Sequence, residues 1–259
     1  MITDLRAAAA SVALIAISCS SAAFAQKPGG ILKMYVWDNP PSVSMLDGVN
    51  PIGQRTTMGV FNNLVMFDQH VEQSSLESIV PDLATGWTWN EEGTALTLPL
   101  RRGVKWHDGK PFTAKDVQCT WDLLLEKSSD KLRTNPLKSW YRNLEEVTTN
   151  GDYGATFHLK RPQPAFLMLL ANGFAPIYPC HVLARDMRQH PIGTGPFKFV
   201  EFKPNERIGD AKRRLLEEGS ALSRRHRIYD HPQPVDGNIG VHFGHARHDL
   251  PEYPHGATL

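Results

Sequence analysis

Leu100-Arg101-Arg102-Gly103-Val104-Lys105-Trp106-His107-Asp108-Gly109-Lys110-Pro111-Phe112-Thr113-Ala114-Lys115-Asp116-Val117 is the stretch whose reading decides the fold. Just before it, residues 94–100 alternate apolar and polar, the period of a half-buried strand. Pro99 removes one ladder donor there and predicts an edge or a bend. Residues 105–111 read as a turn. Thr113-Ala114-Lys115-Asp116 matches a capping box, with Thr113 as N-cap and Asp116 reaching back to it. Val117, Trp121, Leu124 and Leu125 then share one face, so a helix is expected to about Lys127.

Working outward, residues 31–37 are apolar and β-prone, and Asp38-Asn39-Pro40-Pro41-Ser42 ends that strand. Residues 57–67 carry Val60, Phe61, Leu64 and Val65 at helical spacing and predict a helix. Residues 155–160 predict a strand, and Pro164 opens a short apolar helix over 165–171. Gly193-Thr194-Gly195-Pro196 is a turn from which 197–202 leaves as a strand. The mixture predicts an α/β protein.

Composition narrows the function. The chain has 259 residues, 41% hydrophobic and 21% charged, enough for a packed core in one or two domains. A net charge of +1 and the absence of a base-reading motif argue against nucleic acid. Three cysteines without a C-x-x-C leave a thiolate zinc site unsupported. Cys119 and Cys180 are read either as two separate thiols or, after export, as a disulfide. No run of eighteen apolar residues is present.

Residues 1–25 read as an export signal. Arg6 precedes a short apolar run, and Ala23-Phe24-Ala25 before Gln26 is an A-x-A cleavage site. A buried N-terminal helix would not explain that ending, and a lipoprotein signal at Cys19 lacks its usual leucine. The expected location is the periplasm.

Three blocks then stand in order: Pro81-Asp82-Leu83-Ala84 with Trp87, the 100–117 stretch, and Pro191-Ile192-Gly193-Thr194-Gly195-Pro196-Phe197-Lys198-Phe199. Together, from about Gly30 to Ile208, they closely resemble the extracellular solute-binding proteins of ABC transporters that take up peptides and nickel (family 5). The resemblance implies a periplasmic-binding-protein-like fold, two lobes with an extra small domain, closing over a ligand by hinge motion. It implies a monomer that captures a peptide or similar small solute and delivers it to a membrane permease with its ATPases, without cofactor, metal or catalysis. Members bind peptide main chains by strand addition. Similar chains have more than twice as many residues, so the expectation is the first lobe and the extra domain only: residues near 30–55 and 190–208 in the lobe, about 56–189 in the extra domain. By position after the first strand, Trp37, Asp38, Arg55 and Thr56 are the expected ligand contacts.

Beyond Ile208 the pattern stops. Six of eleven histidines fall in the last 51 residues, and hydrophobic periodicity disappears. Residues 209–234 can be written in legal codons (GGT GAC GCG AAA CGC CGA TTA CTG GAA GAA and onward) whose translation, after dropping the first base, is VTRNADYWKKGRPYLDGIEFTIIPNR. Continued through Tyr253, the same shift gives STAILAFISGTLDMTFPN. Both resemble the family's continuation, so 209–259 is expected to be an out-of-frame, disordered tail, and the chain as written to bind poorly. The H-x-x-H-x-x-H of His242, His245 and His248 is then unselected spacing. Other readings are a non-functional pseudogene product, a metal-binding protein through those histidines, and a hydrolase built on His107-Asp108. Adjacent side chains seldom face each other, and no nucleophile motif accompanies that pair.

Overall fold

The computed structural model describes residues 30–36, 40–204, 207–212 and 237–243. In chain order the strands are β1 (Gly30–Val36), β2 (Val65–Phe67), β3 (Ile79–Pro81), β4 (Thr88–Trp89), β5 (Ala95–Pro99), β6 (Leu144–Thr149), β7 (Gly154–Leu159), β8 (Phe197–Lys203), β9 (Arg207–Lys212) and β10 (Gly237–Phe243). The helices are α1 (Pro51–Thr57), α2 (Ala114–Leu124), α3 (Phe166–Ala171) and α4 (Ala184–Met187). The described strands form three sheets: β1-β10-β9-β8, the pair β2-β3, and β4-β5-β7-β6. β1 and β10 run parallel; the other pairs are antiparallel. Among the described residues no helix is long and apolar enough to cross a membrane.

The capping box forms as the sequence predicts. The Thr113 N–H donates to Asp116 Oδ2 at 2.9 Å, and α2 starts one residue later. Its apolar face carries Trp121, which is 1% exposed and meets Phe157 of β7 edge-on at 4.7 Å and Tyr141 at 5.9 Å. That contact joins the helix to the second four-stranded sheet and makes the main core.

Three expectations are corrected. Residues 57–67 are not a helix. α1 lies earlier, where Pro51 fits the first helical turn and Asn50 caps it by accepting from the Ile52 N–H at 2.9 Å. Val60, Phe61, Leu64 and Val65 are buried, but by a turn leading into β2. β5 is a central strand, not an edge; Pro99 is tolerated as its last residue, opposite Gly154. Finally, 209–259 is not structureless throughout, because 209–212 complete β9 and 237–243 form β10. A ladder bonds backbone groups of any sequence, and Ile239, Val241 and Phe243 alternate as a strand does. His242 sits in β10 opposite Tyr35 and Arg207; His245 and His248, like the export signal, lie outside the described residues.

The first and third sequence blocks meet at one turn, residues 59–63, and the second block joins both of them through Arg101 and His107. The Asp82 carboxylate accepts from Asn62 Nδ2 at 2.9 Å and from the Asn63 N–H at 3.0 Å. Thr194 donates its hydroxyl to Asn62 Oδ1 at 3.0 Å. Gly195 N–H donates to the Val60 carbonyl and Phe197 N–H to that of Gly59. A Cβ at Gly193 or Gly195 would overlap the Val60 or Gly59 carbonyl oxygen, which is why glycine stands at both. His107 locks the junction. Its Nδ1 accepts from the Gly193 N–H, so the proton sits on Nε2, which donates to Gly195 O at 2.9 Å. With both ring nitrogens engaged by backbone, His107 is a clamp between the second and third blocks.

Candidate ligand-binding cleft

A cavity of about 150 Å³ opens between the 41–50 loop, α1 and residues 133–134, 174 and 188. Its polar lining includes Ser44, Asp47, Gln54, Arg133 and Arg188, with Phe174 as an apolar wall. α1 reaches it because Ile52 packs with Val43 and with Ile208 of β9, turning Gly53 and Gln54 toward the opening. Gln54 lies so close over Gly173 that a Cβ there would overlap its amide. Phe174 is held edge-on to Trp140 at 6.1 Å.

Asp47 is the electrostatic centre. Its side chain is 8% exposed, and Oδ1 accepts from the Arg133 N–H at 3.0 Å. Oδ2 lies 3.3 Å from Arg188 Nε, outside hydrogen-bond geometry, so each atom lacks a hydrogen-bond partner. The two atoms are buried against each other as an ion pair beside the cavity that both residues line. Burial raises the Asp47 carboxyl above its ordinary value, against the lowering pull of the Arg133 amide and the Arg188 charge. A raised carboxyl contributes its stabilisation below the unfolded pKa, and loses it as pH rises through the folded pKa. Asp47→Asn should therefore be neutral or stabilising at pH 7 and give up that advantage below 3.8, the ordinary value. Urea denaturation at the two pH values checks this; equal effects at both would contradict it.

The wall above Asp47 hangs on Tyr178. Its buried hydroxyl accepts from the Met45 N–H at 2.8 Å and the Leu46 N–H at 3.3 Å, and lies 3.0 Å from Ser44 Oγ. Burial pushes that hydroxyl up to about 12, so it keeps a proton to donate to Ser44.

Of the four residues expected from sequence, Trp37 and Asp38 lie outside the described residues. Arg55 is exposed on α1 and does not line the cavity. Thr56 is buried, and its hydroxyl donates back to Ile52 O and Gly53 O, each at 3.0 Å. Their neighbours Gly53 and Gln54 do line it. Asp47, Arg133, Phe174 and Arg188 were not read from sequence. They come from four separate segments with no spacing signal, and the preference of buried Asp and Arg for pairing was the one clue available. Among the described residues no cluster of His, Cys, Asp or Glu could hold a metal ion.

Comparison with known proteins gives a consistent picture. Residues 78–212, 135 of 259, match the bacterial extracellular solute-binding proteins, family 5 (middle part). The di/tripeptide-binding protein 1 of Pseudomonas aeruginosa (strain UCBPP-PA14) is 30% identical over 170 residues, 58% of this chain and 31% of that protein. The oligopeptide-binding protein AppA of Bacillus subtilis (strain 168) is 36% identical over 126 residues, 45% of this chain and 22% of its own. The solved structure of that Bacillus protein with a nonapeptide superimposes with a TM-score of 0.65 at 26% identity, covering 84% of this chain and 41% of the other. A periplasmic binding protein of Helicobacter pylori, solved with the peptide STSA, shares the fold with a TM-score of 0.67 at 21% identity, covering 85% and 43%. The chain thus spans less than half the length of these relatives.

Proposed function

The chain belongs to the bacterial extracellular solute-binding proteins of family 5, and from that premise we propose that it is built to capture peptides outside the cytoplasm for an ABC permease. The observation that carries the reading is a cavity lined by both charges of the Asp47–Arg188 ion pair together with Ser44, Gln54 and Phe174. A peptide offers main-chain donors and acceptors and terminal charges, which such a polar, charged lining can meet. The cavity's 150 Å³ is below the roughly 300–1,000 Å³ of a small-molecule site, so it holds one or two residues and leaves the rest of the ligand to other walls. Peptide-binding relatives at 30% and 36% identity support the ligand class. The protein acts as a monomer, exported by the signal over 1–25, and hands its ligand to a permease driven by ATPases. It binds without catalysis, in keeping with a His107 whose ring is held by backbone on both sides.

The second part of the proposal concerns the gene. The reading frame changes near codon 209, so that 209–259 are out of frame and the chain as written binds weakly. The match to the family ends at residue 212, close to that point. Resequencing codons 205–215 decides it: an extra or missing base supports the shift, and an unchanged reading removes it. For the cleft, a dipeptide carrying benzoylphenylalanine should photo-label segments 41–54 and 172–174. Labelling confined to other segments would overturn the assignment.

A further inference from the structure

Cys119 of α2 and Cys180 are joined by a disulfide, their Cα atoms 5.6 Å apart across 61 residues of sequence. That separation lies within the usual range for such a bond. Around it the 178–180 segment is tied to α2 atom by atom. Cys180 N–H donates to Asp116 Oδ1 at 2.9 Å, and Tyr178 N–H donates to Thr120 Oγ1 at 2.9 Å. Two residues from the disulfide, the Tyr178 ring is 3% exposed and stacks on Phe61 at 5.4 Å. Its hydroxyl is the acceptor that the Met45 and Leu46 amides share, and both of those residues are buried. Ser44 and Met45 line the cavity. The loop's flanks have their own ties, Val43 N–H to Arg188 O and Asp47 to the Arg133 amide. In its middle Met45 and Leu46 pack into the core, and their amides have the Tyr178 phenol as hydrogen-bond acceptor.

We propose that the Cys119–Cys180 disulfide sets the order of the cavity wall at 44–46, with Tyr178 as the positioning residue that carries the tie. The bond is made when the two thiols lose two protons and two electrons to the disulfide of a thiol oxidoreductase outside the cytoplasm, which leaves as a dithiol. Reduction returns the thiols and frees the 178–180 segment from its covalent anchor. The wall then depends on the hydrogen bonds of 177–180 to Asn62, Asp116 and Thr120 and on ring packing, and opens more often. This device stands on geometry alone and does not rest on the identity of the ligand.

Hydrogen exchange followed by mass spectrometry on the full chain tests it. Three states are compared with the oxidised protein: reduced by a phosphine, which takes up oxygen from water; Cys119→Ser/Cys180→Ser; and Tyr178→Phe with the disulfide intact. Exchange across 44–46 should rise about tenfold in all three, while β5 and β7 change less than about twofold, as expected for local opening. Tyr178→Phe must give that rise with Cys119 and Cys180 still closed to alkylation. Unchanged exchange at 44–46 in the double serine variant or in Tyr178→Phe would overturn the proposal. So would loss of protection throughout β5 and β7, because the bond would then hold the whole fold. Alkylation of both cysteines in unreduced protein would overturn it as well.

Discussion

Gly193→Ala is expected to lose about 3 kcal/mol of stability, the top of the range for overpacking a close-packed site. The added methyl would overlap the Val60 carbonyl oxygen and lie against its carbonyl carbon, both backbone atoms that no side-chain rotation can move. Relief requires the 193–195 turn to back away from 59–60. That movement would break the Gly195-to-Val60 and Phe197-to-Gly59 hydrogen bonds together, and pull Gly193 from His107. With a urea slope of about 2 kcal/mol/M, the midpoint should fall by about 1.5 M. Gly86→Ala is the control, since nothing lies within 4 Å of a Cβ there; it should change stability by less than about 0.5 kcal/mol. Equal midpoints for the two variants would show that the meeting of the sequence blocks does not hold the fold.

Trp121→Ala should cost about 3 kcal/mol, at the low end of the about 3–5 kcal/mol seen for large aromatic truncations. Its ring packs edge-on against Phe157 and Tyr141, and truncation would leave a cavity between them. The cost is at the low end because the buried indole Nε1 has no hydrogen-bond partner, and truncation removes that orphan donor. Trp121→Phe separates the two effects. It keeps an aromatic edge contact with Phe157 and discards the orphan N–H, so it should cost less than about 1.5 kcal/mol. Thermal or urea unfolding of both variants gives the comparison. A phenylalanine variant as unstable as the alanine one would mean that ring shape, not burial, decides this core.

The contrast between what was and was not legible follows from where the information lies. The capping box at Thr113-Asp116 was readable because both partners sit within one helical turn. α1 was missed although Asn50-Pro51 is a sound start signal, because seven residues give too short a pattern to outweigh the apolar spacing at Val60, Phe61, Leu64 and Val65. That spacing reflects a turn buried from several sides, by Asp82, Thr194 and the glycines at 193 and 195. The family was legible because its blocks are structural. They are the surfaces where distant segments fit together, through glycines, His107 and Asp82. The cleft was not, because Asp47, Gln54, Arg133 and Arg188 are brought together by folding alone. Tyr178 carried no signal beyond its position between Ile177 and Pro179-Cys180. Its role depends on amides that lie 132 and 133 residues away in sequence.

The most direct test of peptide capture is a calorimetric titration with a mixture of di- and tripeptides, run on two proteins. One is the chain as written; the other is expressed from a gene with the frame restored after codon 208. The account predicts saturable binding at about micromolar Kd or tighter for the restored protein, and binding at least about 100-fold weaker, some 2.8 kcal/mol, for the chain as written. No peptide binding by the restored protein would contradict the account, and equally tight binding by both would contradict the frame change.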